Sequence, residues 1–218
     1  ADIQDAINDG IIVVASAGNE YWKIVNSSDQ DYNNIYYMTY FGTNYAWDLN
    51  KGTGGGAGYA PVITVGAVSN NRLENKATFS NCGNQVDVFA AGEAIQSSLH
   101  SGASNDPRNT SYQLGKYQGT SMASPQIAGI LALLAESWPS MTQAEAHAWI
   151  INNSNVNQML DSGTDNSMDT NSLQGAPNLF ARWINQRVQS GSSFPQKNFK
   201  PRPTSGITYP RTRIRRRG

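Results

Sequence analysis

Three stretches of this chain are apolar at nearly every position rather than at alternate ones: residues 11–17 (Ile-Ile-Val-Val-Ala-Ser-Ala), 62–68 (Val-Ile-Thr-Val-Gly-Ala-Val) and 86–90 (Val-Asp-Val-Phe-Ala). A strand with one solvated face alternates, whereas a strand covered on both faces of a parallel sheet reads as a continuous apolar run. All three are therefore predicted as strands of a buried, mainly parallel sheet. Ahead of the first, Ile3 and Ile7 lie four apart, as on one face of a helix that Asp9-Gly10 stops. Residues 127–135 are apolar on every side of a helical wheel and predict a fully buried helix. Thr142-Gln143-Ala144-Glu145 has the pattern of a capping box, in which Thr and Glu satisfy free backbone amides reciprocally, and predicts a helix to about Ile151. A further helix is expected over 178–188. Helices and strands in this order give a layered α/β domain on a mainly parallel sheet.

Between residues 20 and 58 no period holds, yet the stretch carries nine aromatic residues, from Tyr21 and Trp22 to Tyr45 and Trp47. Disordered segments are poor in aromatics, so a folded insertion with its own small packing cluster is expected. Its exit, residues 52–58, is glycine-rich but lacks the Lys-Ser/Thr ending of a phosphate loop.

Composition narrows the chemistry. The chain has 218 residues, enough for one domain with a sizeable core, and its formal net charge is zero. The longest apolar run covers nine positions, about half of what a bilayer span requires. A single cysteine, Cys82, excludes an intramolecular disulfide framework and any cysteine-built metal cage. Two histidines, His100 and His147, leave little for a histidine metal site. The zero charge is uneven: residues 190–218 hold eight Lys and Arg and no acid, leaving a net −8 on residues 1–189. With four prolines and few apolar residues, this tail is expected to stay disordered outside a domain spanning 1–189. It is a solubilising extension, a docking element for a polyanion or an acidic protein face, or a tail that folds back on its own acidic domain.

Two motifs carry chemistry. Ala17-Gly18-Asn19-Glu20 follows the first buried strand, at the carboxyl edge where open α/β sheets bind ligands. Gly18 allows close backbone approach and Asn19 offers an NH₂ donor, although a turn asparagine has the same appearance. Gly119-Thr120-Ser121-Met122-Ala123-Ser124-Pro125 leads into the apolar helix, with Pro125 in its first turn. A serine there sits beside free amides and the positive end of the helix dipole, which favour charge developing on a nearby carbonyl oxygen. Ser124-Pro125 equally makes a cap and first-turn pair.

Taken together, the motifs resemble those of the subtilisin-like serine proteases (subtilases). Residues 119–125 followed by Ile127-Ala128-Gly129 resemble the family's nucleophile signature, and residues 13–20 its oxyanion-hole strand. Blocks 59–68 and 77–95 fit in the right order, and the resemblance, which implies three αβα layers around a mainly parallel sheet, runs from about residue 1 to 152 apart from longer loops at 20–58 and 98–116. The resemblance implies Ser121 as nucleophile, Asn19 as oxyanion donor, and Ser16, Ala17, Gly18 and Thr120 as residues lining a polypeptide substrate. It also implies a structural calcium ion and a secreted or extracellular setting. No acidic cluster in the sequence commits to that ion; Asp87 is a single carboxylate expected to be hydrogen-bonded. The family's triad runs Asp, His, Ser, yet the 18 residues before Asn19 contain neither the Asp nor the His motif. His100 stands in the wrong context and His147 reads as a half-buried helix-face residue. Gln126 replaces the family's usual His, a change expected to concern core packing, and Ala91 replaces a common Pro. Two readings remain: the carboxyl-side part of a serine endopeptidase, inactive by itself, or a catalytically dead module that binds polypeptide.

Overall fold

A computed structural model of the chain describes residues 2–52, 61–71, 73–100, 104–106 and 109–182. The basic tail over 190–218, most of the glycine-rich exit and the second half of the expected helix over 178–188 lie outside the described residues. The body, unit Ala1–Ile184, is built on a five-stranded sheet. Its strands are β1 (Val14–Ser16), β4 (Ile63–Val68), β5 (Val88–Ala91), β9 (Asn155–Val156) and β10 (Leu179–Phe180), in the order β1-β4-β5-β10-β9. All neighbours run parallel except β9 and β10. The three apolar runs thus form adjacent strands, and every residue of β4 is buried, as an uninterrupted apolar run requires. Two small antiparallel sheets stand apart: β2 (Tyr36–Tyr40) with β3 (Thr43–Trp47), and β6 (Ile95–Leu99), β8 (Asn109–Tyr117) and β7 (Ser104–Asp106).

Helices α1 (Asp2–Asn8), α2 (Thr120–Ser137) and α3 (Gln143–Asn153) complete the α/β architecture. The capping box of α3 is formed in both directions, with Glu145 N–H donating to Thr142 Oγ1 at 3.3 Å and Thr142 N–H to Glu145 Oε2 at 2.8 Å. Gln143 ties the helix to the sheet: its Oε1 accepts from Val13 N–H at 2.7 Å, and its Nε2 donates to the carbonyls of Val13 and Pro61. None of the described helices is long and apolar enough to cross a membrane.

Four expectations need correction. The segment Leu179–Phe180 is a strand, because Phe180 pairs with Phe89 of β5 and Leu179 with Val156 of β9, and this pairing outweighs local helical spacing. Helix α2 buries one stripe only, Thr120, Ala123, Ile127, Leu131 and Leu134, against β1, β4 and β5. Ala128, Gly129, Ala132 and Leu133 are exposed, since the sheet covers a single side of the helix. Within the expected loop over 98–116, Ser104–Asp106 and Asn109–Tyr117 are the paired antiparallel strands β7 and β8. Within the 20–58 insertion, Ile24 and Val25 belong to the body's core, at 0% and 1% exposure, while most aromatics lie on the exposed hairpin β2–β3.

Ile24 packs with Ala17, Val68, Val86, Phe89, Met159, Leu173 and Ala176. This cluster draws the carboxyl-terminal segment onto the end of β1. A buried lysine reinforces the junction: Lys76, 0% exposed, donates from Nζ to the carbonyls of Ser167 at 3.1 Å and Ser80 at 3.4 Å. Burial pushes its pKa down, opposed by the nearby Cys82 thiol and the Asp169 carboxylate. The Cys82 thiol is itself buried and pushed up to about 11, which leaves it an inert core group.

Candidate active site

The carboxyl end of β1 and the amino end of α2 meet through hydrogen bonds that span a hundred residues of sequence. Asn19 Oδ1 accepts from Thr120 N–H at 2.8 Å and from Thr120 Oγ1 at 3.0 Å. Thr120 Oγ1 in turn accepts from Gly18 N–H at 3.1 Å, and the threonine is fully buried. With its oxygen spent on Thr120, the Asn19 amide keeps its NH₂ group as the donor to offer. Ser121 follows at the second position of α2 and is exposed. No described residue hydrogen-bonds to its hydroxyl. Its backbone N–H belongs to the first turn, where amides have no intrahelical acceptor.

Glycines permit this approach. Gly119, the residue before α2, has φ +148° and stands 3.6 Å, measured from an added Cβ, from both polar atoms of the Asn19 amide. Gly18 has φ +103°, and a Cβ there would collide with Asn81 Nδ2 and lie 2.7 Å from Glu20 Oε2. Gly119 N–H also donates to Gly92 O at 2.8 Å, fastening the start of α2 to the end of β5.

Asn81 is the residue that sequence reasoning missed. Its Nδ2 donates to Ala17 O at 2.8 Å, and its Oδ1 accepts from Glu20 N–H at 3.2 Å and Trp22 N–H at 2.8 Å. Its own N–H donates to Gly18 O at 3.0 Å. One side chain therefore shapes the whole turn that carries Asn19. The turn-forming cluster Ser80-Asn81-Cys82-Gly83 was the available signal, but its partners lie some sixty residues away. Gln126 also differs from expectation: its Nε2 donates to Ala91 O and to Met122 O, so it links α2 to β5 by hydrogen bonds rather than by apolar packing. Pro125 falls at the sixth position of α2 rather than in the first turn, and has no N–H to offer the Ser121 carbonyl four residues back.

The structure thus joins Gly18, Asn19 and Thr120 directly and places Ser121 next in the chain. Ser16 is half-buried in β1, opposite Val65. Ala17 is buried, with its N–H on Val65 O and its carbonyl on Asn81. His147 lies elsewhere. Its Nε2 meets Asp87 Oδ1 at 3.0 Å, while Asp87 Oδ2 accepts from Thr64 N–H at 2.7 Å, where β5 and β4 begin. Ser121 sits at the opposite, carboxyl edge. Asp87 is thus engaged by protein donors, and an imidazole beside it does not suit calcium, which takes oxygen ligands. No group of three or more His, Cys, Asp or Glu side chains gathers among the described residues to hold a metal.

The hydrogen bond to Asp87 raises the His147 pKa above its ordinary 6.5, against an opposing effect of burial. The protonated pair therefore stabilises the fold fully below pH 6.5, and this contribution fades as pH rises through the raised value. Because the His147 side chain is 38% exposed, solvent screening limits the effect to about 0.2–1 kcal/mol. Denaturant titrations of the chain at pH 5.5 and pH 8.5 should show that loss, and His147→Gln should abolish the difference. An unchanged pH dependence in the variant would assign it to other groups.

The model of the Subtilase family matches residues 1–179. A subtilisin of Bacillus pumilus is 33% identical over 143 residues, covering 66% of this chain and 39% of that protein. Subtilisin E of Bacillus subtilis strain 168 is 33% identical over the same length, covering 28% of its sequence. An extracellular protease of Xanthomonas campestris is 39% identical over 97 residues, which is 44% of this chain and 16% of that protein. Among solved structures, a cold-adapted subtilisin-like serine proteinase superposes with a TM-score of 0.51 at 19% identity, over 84% of this chain and 49% of its own. The fold is accordingly the subtilisin-like three-layer α/β fold. The chain spans about 28–39% of the length of the subtilisins it matches.

Proposed function

The chain belongs to the subtilase family, and from that premise we propose that it forms the carboxyl-side part of a serine endopeptidase with Ser121 as its nucleophile. Ser121 Oγ attacks a peptide carbonyl, a base removes its proton, and the amine leaves from a tetrahedral intermediate to give an acyl-enzyme that water then hydrolyses. Negative charge collects on the former carbonyl oxygen. Asn19 Nδ2 and the Ser121 N–H are the donors assigned to it, assisted by the positive end of α2. The observation that carries this reading is the double hydrogen bond from Thr120 to Asn19 Oδ1, which leaves the amide's NH₂ group for a ligand. Gly18, Thr120 and the β1 end around Ser16 and Ala17 then border the polypeptide substrate.

A base is required, because a serine hydroxyl without one is a poor nucleophile. His147 is spent on Asp87 at the far edge of the sheet, and His100 is exposed just beyond β6. The triad Asp and His are therefore assigned to sequence outside this chain, and the chain alone is expected not to turn over substrate. A fluorophosphonate probe applied to the longer protein, followed by peptide mapping of the adduct, tests the assignment. Labelling on Ser121 is expected. An adduct elsewhere overturns the nucleophile, and no adduct at all favours a binding module on the same fold.

A further inference from the structure

The hairpin β2–β3 sorts its side chains by face. Residues opposite each other in an antiparallel pair share a face, and faces alternate along each strand. The pairs Tyr36–Trp47, Met38–Tyr45 and Tyr40–Thr43 therefore line one face, and Tyr37–Ala46 and Thr39–Asn44 the other. The first face is aromatic along its length. The second is mostly small and polar, with Thr39 Oγ1 donating to Asn44 Oδ1. A soluble domain normally turns such an aromatic face inward, yet Tyr40, Tyr45 and Trp47 are 52%, 48% and 41% exposed.

This face is continuous with the candidate active site. Tyr36 packs on Trp22, with ring centroids 4.7 Å apart, and Trp22 stacks with Tyr21 at 6.2 Å. Tyr21 lies two residues after Asn19. It has φ +53°, a left-handed conformation that is strained for a bulky side chain, and its N–H is held by Phe79 O at 2.9 Å. Tyr40 and Tyr45 extend the row toward the tip, their centroids 6.5 Å apart. Five residues of β-strand span roughly 17 Å, so the row is long enough for about five residues of an extended partner chain.

Charge selects the occupant. No charged residue occurs between Asp31 and Asp48, and Glu20, the carboxylate closest in sequence to Tyr21, is turned onto Asn19 N–H and Asn81 Nδ2. A helix or hairpin that docks on a bilayer typically adds Lys or Arg for the headgroups, and this one has none. We propose that the row from Tyr21 through Trp22 and Tyr36 to Tyr45 is an exosite that holds an extended, uncharged polypeptide segment rich in aromatic or large aliphatic residues, several positions from the bond to be cut. The exosite rests on the endopeptidase reading, since its occupant is the substrate of Ser121. Rigid tyrosine and tryptophan rings supply large contact area at low entropic cost, which suits a chain of variable sequence.

The test is a titration of the 218-residue chain, followed by tryptophan fluorescence, with two uncharged ten-residue peptides. One alternates Phe or Leu with Gly, and the other alternates Ser or Asn with Gly. The first should bind at least tenfold more tightly. The double variant Met38→Ser/Tyr45→Ser should erase the difference, whereas Tyr37→Ser, on the opposite face, should keep it within twofold. Equal binding of the two peptides overturns the exosite, as does an equal loss in the Tyr37 variant. Two further results also overturn it: concentration-dependent dimers abolished by the double variant, which make a second copy the occupant, or partition into phosphatidylcholine vesicles without peptide discrimination. The titration does not involve Ser121. Failed labelling of Ser121 beside intact discrimination would therefore reject the protease reading and leave the row as a polypeptide-binding surface without a substrate role, and the reverse pattern would reject the exosite alone.

Discussion

On the proposed endopeptidase reading, replacing Ser121 by alanine in the longer protein is expected to lower kcat for peptide hydrolysis by about 10⁶, the scale known for the nucleophile of a subtilisin. The expectation comes from the position of the residue. Ser121 is exposed at the second position of α2, and no described group bonds to its hydroxyl, so alanine there creates no cavity and leaves no buried partner unpaired. Stability should change by less than about 0.5 kcal/mol, the ordinary range for surface substitutions. Substrate affinity should likewise remain, because the bordering residues are untouched. Steady-state kinetics and thermal melts of the same preparation check both halves. Residual activity within tenfold of the parent would place the nucleophile elsewhere.

Asn19 calls for a pair of variants, because its amide has two jobs. The oxygen fastens Thr120, and the NH₂ group is assigned to the oxyanion. Asn19→Leu removes both, and should lower kcat by about 10²–10³ with KM nearly unchanged; that scale is the one known for the oxyanion asparagine of subtilisin. The same variant leaves the Thr120 N–H and hydroxyl without their acceptor, at a further cost to stability of about 1–3 kcal/mol. Asn19→Asp separates the effects. A carboxylate still accepts from Thr120 but cannot donate, so the melting temperature should stay near the parent value while kcat falls at least as far as in the leucine variant. If the aspartate variant keeps its rate, Asn19 acts only by positioning Thr120.

Local pattern and long-range pairing account for what could be read in advance. Continuous apolar runs identified β1, β4 and β5, because burial on both faces removes alternation. Thr142 and Glu145 identified the start of α3, since a capping box is complete within four residues. The placing of Asn19 just after β1 and of Ser121 at the head of α2 was legible for a similar reason, each lying in a compact motif at an element end. The uniform apolar character of α2, by contrast, says nothing of how many sides the sheet covers, and Ala128, Gly129, Ala132 and Leu133 are exposed. Strand β10 is two residues long and exists only through Phe89 and Val156. The hairpin β2–β3 escaped a periodicity search because its aromatic face is solvated and its other face carries Tyr37. Asn81 and the Asp87–His147 pair were hidden for the same reason: their roles depend on partners sixty residues away in each case.

The reach of Lys76 has a consequence for local opening. Its ammonium bonds both to Ser80 O, beside the asparagine that shapes the Asn19 turn, and to Ser167 O in the carboxyl-terminal segment. Gly83 N–H bonds to Leu173 O at 3.0 Å across the same seam, and Trp22 N–H is held by Asn81. Neither segment can swing away without breaking the lysine's contacts and leaving a buried charge unpartnered. The two should open as one cooperative unit, so hydrogen exchange at the Trp22 and Gly83 amides should report a common opening free energy. The precision of the Asn19 turn is then set as much by a segment roughly 150 residues further along the chain as by the strand that carries Asn19.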